Sequence, residues 1–134
     1  MFDALGKKLG DKVVGKTLRR NAGPYIKRAK ELSSNQDVTG ETTKSIGIIT
    51  RRSRERAPSI FAGPRRGNGF KGHTAHLTEF GTAPRQTKDG KSTGQVTAQP
   101  YLRPAFEATK DEMLAGIKLD LKTLLESGFK TINF

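Results

Sequence analysis

The chain has no cysteine and only two histidines, His73 and His76, in 134 residues. The lack of cysteine removes disulfides, thiolate zinc sites and thiol nucleophiles together, and it fits a reducing or indifferent compartment. Acidic residues are scarce as well: 13 Asp and Glu stand against 25 Lys and Arg, a formal net charge of +12. No apolar run approaches the roughly 20 residues of a membrane span. At the N-terminus, Lys7, Lys8, Asp11 and Lys12 break up any apolar core that a signal peptide would need. The expectation is a soluble protein made in the cytoplasm, with no membrane partner.

The cationic excess is unevenly spread. Residues 1 to 60 carry 14 basic and 6 acidic side chains, residues 61 to 104 carry 7 and 2, and residues 105 to 134 carry 4 and 5. A basic body with a nearly neutral C-terminal element predicts contact with a polyanion or an acidic protein surface, through a face rather than a tail. A hydrophobic fraction of 33% supports a modest core, while 15 Gly and 6 Pro assign much of the chain to loops. One domain covering residues 1–134 is expected, completed by a partner or by copies of itself.

Helical spacing of Phe2, Leu5, Leu9 and Val13, continued by Val14, Leu18, Ala22, Tyr25 or Ile26, Ala29 and Leu32, marks residues 1–33 as a basic helical segment. Gly23-Pro24 splits it into spans of roughly 3–21 and 24–33. Residues 43–104 read as sheet and loops, with strands at about 43–51, 57–62 and 96–102. Arg51, Arg52, Arg54 and Arg56 fall at a hairpin tip, and the glycine-rich stretches 63–72 and 81–94 read as irregular loops. Residues 105–127 form the strongest helix, with Phe106, Met113, Leu114, Ile117, Leu121, Leu124 and Leu125 on one stripe. Gly128 caps it, and an apolar tail, 128–134, carries Phe129, Ile132 and Phe134. The fold class expected is α+β: a small, mainly antiparallel sheet packed by a long N-terminal and a long C-terminal helix, with extended polar loops.

Two segments organise the rest. In His73-Thr74-Ala75-His76-Leu77-Thr78-Glu79-Phe80-Gly81-Thr82, a stub helix stops abruptly at a glycine free to take φ > 0. In Gln99-Pro100-Tyr101-Leu102-Arg103-Pro104, two prolines impose an extended entry to the last helix and fix Tyr101 and Leu102 as anchors. Arg103, held between these anchors, is expected to reach Glu79 through a bidentate guanidinium–carboxylate pair.

Three constellations suggest chemistry and are set aside. Gly67-Asn68-Gly69-Phe70-Lys71-Gly72 fits Gly-x-Gly-x-x-Gly, but no full helix follows and Asp89 lies in a loop. Gly90-Lys91-Ser92 lacks the upstream glycine of a phosphate loop, since Arg85 stands there. His73, His76 and Glu79 are spaced by three, unlike the two-histidine helix motif of metalloproteases. No catalytic group, metal site or cofactor site is expected. The cations Arg51, Arg52, Arg54, Arg56, Arg65, Arg66 and Lys71 are candidate contacts to duplex DNA, bound non-specifically, or to an acidic partner, with plain solvation as the third reading.

The run His76-Leu77-Thr78-Glu79-Phe80-Gly81-Thr82, followed by Gln99-Pro100-Tyr101-Leu102-Arg103-Pro104-Ala105-Phe106-Glu107 opening the last helix, resembles the gene-product-ten-like family of lambdoid and other long-tailed bacteriophages. Thr39-Gly40 before Ser45-Ile46 and Gly63-Pro64 after the second strand are similar to the same pattern. Members of that family are tail-completion or head-tail joining proteins of the phage neck. The resemblance implies a non-enzymatic virion protein that forms a homo-oligomeric ring, a hexamer, at the head-tail junction. Its partners would be neighbouring neck and tail proteins and the DNA in the channel. Glu79, Phe80, Gly81, Pro100, Tyr101, Leu102, Arg103 and Pro104 would be the fold and interface motif, and the tail 128–134 an assembly segment. A free basic nucleic-acid-binding protein is the alternative.

Overall fold

The computed structural model describes residues 2–49 and 58–127, with the side chains of residues 2–9 excepted. The arginine tip at 51–56 and the apolar tail at 128–134 lie outside the described residues. The chain is α+β, with long helices at both ends and small antiparallel sheets between them. No helix among the described residues is long and apolar enough to cross a membrane.

Helices α1 (Phe2–Asn21) and α2 (Gly23–Ser34) meet at Ala22, which keeps helical dihedrals and donates its N–H to the Leu18 carbonyl at 3.1 Å. Pro24 sits in the first turn of α2, where its missing N–H costs little. The break therefore falls where Gly23-Pro24 predicts it. Asp37 then fixes the exit from α2. Its carboxylate accepts the N–H of Gly40 at 3.1 Å and of Thr43 at 2.7 Å, while Gly40 takes φ = 73°. That arrangement closes a short helix, α3 (Glu41–Ser45), over residues expected to begin a strand. Local carboxylate-to-amide bonds outweigh the weak strand preference there.

Strand β1 (Ile46–Ile49) pairs antiparallel with β2 (Phe61–Pro64), with Ile46 opposite Pro64 and Ile49 opposite Phe61. The second strand thus runs a few residues later than expected. The glycine-rich loop also contains order: β3 (Arg66–Gly67) and β4 (Phe70–Lys71) form a hairpin around Asn68-Gly69, both with positive φ. Asparagine and glycine tolerate that region, and their pairing suits a two-residue hairpin turn. A 3₁₀ turn, Gly72–Thr74, leads into α4 (Ala75–Phe80). A further hairpin, β5 (Arg85–Gln86) with β6 (Ser92–Gly94), occupies the second predicted loop. No third strand forms over 96–102; residues 96–101 carry no regular structure and are tied to α4 and its flank instead. Among the described residues the single expected sheet is replaced by three two-stranded ones.

Helix α5 (Leu102–Ser127) starts three residues before the expected 105. It packs along α2 and α1, and Asn21 reaches across to donate to Asp120 at 2.8 Å. Gly116 allows this approach, because a Cβ there would overlap the Asn21 side chain. The core is small: Ala29, Ile46, Ala75 and Ala105 surround Tyr101, the largest fully buried side chain. Alanines on three helices let backbones close around one aromatic ring, whose removal typically costs about 3–5 kcal/mol.

Candidate interface

The two organising segments are joined backbone to carboxylate. Glu79, 6% exposed, accepts the N–H groups of Tyr101 at 2.9 Å and Leu102 at 3.0 Å on Oε2, and that of Arg103 at 3.0 Å on Oε1. A helix start leaves its first amide donors unpaired and carries partial positive charge, so a buried carboxylate is well matched to it. Pro104 has no N–H to satisfy, and the next donor, Ala105, bonds to the Tyr101 carbonyl at 3.3 Å. Glu79 plus one proline therefore complete the accounting for the first turn of α5. The expected guanidinium pair is corrected: Glu79 holds the backbone of Arg103, and the Arg103 side chain is exposed.

The residues beside Glu79 extend the joint. Thr78 accepts the Gln99 N–H at 2.8 Å through its carbonyl, and Thr82 exchanges bonds with Val96, N–H to carbonyl at 2.9 Å and N–H to Oγ1 at 3.0 Å. Gly81, at φ = 70°, lies under the passing 96–98 segment. A Cβ there would stand 2.8 Å from both the Val96 carbonyl oxygen and the Ala98 nitrogen. Glycine meets both demands, the dihedral and the close approach.

Phe80 is not part of the core. One residue on from the buried Glu79, the helix turns it outward and leaves it 80% exposed. It borders a cleft of about 770 Å³ with Leu102, Arg103 and Phe106 on one side and Arg66, His73 and His76 on the other. The Phe106 ring stands edge-on to Tyr25, centroids 6.4 Å apart at 77°, and also walls an apolar groove of about 530 Å³ lined by Leu18, Ile60, Met113 and Leu114. The α5 stripe read as core is thus only partly covered, with Leu124 buried but Phe106, Leu114 and Leu125 exposed. The signal that could have shown this is the small pair Ala105 and Thr109, one turn apart, which marks the packed face and leaves Phe106 off it.

The candidate cations separate by role. Arg65 is used internally: its Nε donates to the Ser45 carbonyl at 3.0 Å, its Nη2 to the Lys44 carbonyl at 3.3 Å, and its guanidinium lies 3.8 Å from the Phe70 ring centroid. It closes the C-terminal end of α3, with Gly47 leaving space for the guanidinium. Lys71 pairs with Glu41 at 2.6 Å. Arg66 and Arg103 remain exposed on the cleft. Of His73, His76 and Glu79, the glutamate has both oxygens turned to backbone amides while the two histidines are exposed. Among the described residues no His, Cys, Asp and Glu cluster suited to a metal ion occurs.

Titration behaviour follows burial at Tyr101 and hydrogen bonding at Asp37 and Glu107. Burial, then the Glu79 carboxylate and the Tyr25 and Asp37 side chains, push the Tyr101 hydroxyl up to about 12. Burial pushes the Asp37 carboxyl upward too, but the N–H and hydroxyl of Thr43, the Gly40 N–H and the Thr39 hydroxyl together hold it below the usual carboxylate range. The hydrogen bond and charge of Lys110, with Arg103 adding to them, hold the exposed Glu107 below its ordinary value. The arrangement offers apolar contact and positive charge. No family model, curated protein or solved structure matches the chain.

Proposed function

We propose that the chain is a structural protein of the virion of a long-tailed bacteriophage, a ring subunit that completes the tail or joins head and tail around the DNA channel. The observation that carries this reading is the Glu79 joint. The two segments on which the family resemblance rests are the two halves of one clasp. Within them Glu79, Gly81, Tyr101 and Pro104 close the clasp, while Phe80, Arg103 and Phe106 are left on the surface. A core of few large side chains beside exposed Phe80, Phe106, Leu114, Leu119 and Leu125 suits a subunit whose remaining surface is covered by neighbours. On this reading no bond is made or broken and no cofactor takes part. The protein works by packing and charge, against copies of itself, neighbouring neck proteins and the phosphates of passing DNA.

Depleting the protein during phage growth tests the proposal. Particles lacking joined, functional tails are expected, and normal infectious tailed virions contradict it. The net charge of +12 favours one competing reading, a free nucleic-acid-binding protein. That reading requires the isolated chain to bind duplex DNA tightly, with a steep salt dependence.

A further inference from the structure

Phe106, with Tyr25 edge-on to it, lines both the cleft and the apolar groove, so Phe80, Phe106 and Leu114 form one apolar strip across α4 and α5. Among the described residues its charged lining is one-sided. Arg66 and Arg103 border the cleft and Lys110 borders the groove, whereas the acid within it, Glu79, is buried with both oxygens on backbone amides. Lys110 is matched by Glu107 at 2.8 Å, and Arg103 lies one turn from that same carboxylate, leaving Arg66 and much of Arg103 to a partner. Aromatic side chains beside arginines are the composition enriched at protein interfaces.

We propose that this strip docks a segment of a different protein in which aspartates or glutamates flank large apolar side chains. A second copy of this chain is a poor match. Seven of its 13 acids are already engaged: Glu31, Glu41, Glu107 and Glu126 pair with lysine or arginine, Asp37 and Glu79 accept backbone amides, and Asp120 accepts from Asn21, while the exposed pair Asp111 and Glu112 lies on α5, the helix that itself carries the strip. Duplex DNA is also a poor match, since a concave aromatic wall adds nothing to phosphate contact. The inference rests on the neck reading only for placing that protein in the virion. A chain that binds the segment but never assembles keeps the strip and loses the ring.

The test uses the full chain and a short fluorescent synthetic peptide in which aspartates flank one leucine and one phenylalanine. Saturable binding is expected, weakened about tenfold or more by Phe80→Ala and, independently, by Arg103→Glu, as for anchors near the centre of an interface. Replacing the aspartates of the peptide with lysines is expected to abolish binding. Equal binding of the lysine peptide, or unchanged binding by both variants, overturns the proposal. So does a Phe80→Ala variant that loses affinity for duplex DNA but not for the peptide. Phe80 is 80% exposed, so its truncation leaves the core intact, and a thermal melt of each variant checks this directly.

Discussion

Glu79 and Tyr101 meet through a carboxylate oxygen and a backbone amide 2.9 Å apart, across 22 positions of the chain. The bond belongs to a set of three that starts α5 and fastens it to α4. Glu79→Ala leaves three amide donors at a buried helix start without an acceptor. It is expected to cost about 2–4 kcal/mol, from the penalty for orphaned buried donors and the loss of an N-terminal cap. Glu79→Gln keeps one acceptor oxygen and is expected to lose less. Urea unfolding at neutral pH, read as a shift in midpoint, measures both.

Gly81 supplies a second test because its demands are double. Gly81→Ala meets both an unfavourable φ and two backbone atoms, so a loss of about 2–4 kcal/mol is expected. Gly90→Ala has a positive φ but open space around it, and about 1 kcal/mol is expected there. Thermal melts of the two variants separate the close approach from the dihedral alone.

Arg65 and Arg66 are adjacent but not equivalent. Arg65→Ala removes two bonds to α3 carbonyls and the contact with Phe70, for an expected loss of about 1–2 kcal/mol. Arg66→Ala, on an exposed side chain, is expected to stay within about 0.5 kcal/mol. Guanidinium chloride melts of the pair decide the matter.

Stability should fall at both ends of the pH range. The Asp37 carboxyl is held below its ordinary value in the folded chain. Its contribution is therefore full above the unfolded value and is lost as pH falls through the folded one. For Tyr101 the sign reverses: the folded value of about 12 exceeds the ordinary value of about 10, so its contribution is full below 10 and is lost as pH rises toward 12. Unfolding followed against pH is expected to show the acid slope reduced in Asp37→Asn and the alkaline slope reduced in Tyr101→Phe.

Much of this architecture is written in periodicity and punctuation. Helical spacing with Gly23-Pro24 locates α1 and α2 within a residue or two, and the stub helix ending at Gly81 is legible from the glycine alone. The same letters show that the segments around Glu79 and Tyr101 face each other, but they assign Glu79 the wrong partner. Side-chain charges are spelled out in a sequence, whereas the unpaired amides of a helix start are not, and those amides outcompete the Arg103 guanidinium. Phe80 stands in the expected fold motif and Phe106 on the apolar stripe of the last helix, positions that apolar residues usually bury. Their exposure depends on which helix face the small residues Ala105 and Thr109 bring against the rest of the fold. Asn68-Gly69 did carry a hairpin signal, hidden among neighbouring glycines. The α3 turn depends on Asp37, whose carboxylate reaches six residues forward to Thr43, beyond what local strand propensity registers.

Ring formation is decided by native mass of the purified protein, measured alone and after mixing with phage tails. The reading proposed here predicts a closed species at an integer multiple of 14.7 kDa, six-fold for a hexamer, formed at least in the presence of tails. A particle that stays at 14.7 kDa under both conditions contradicts it.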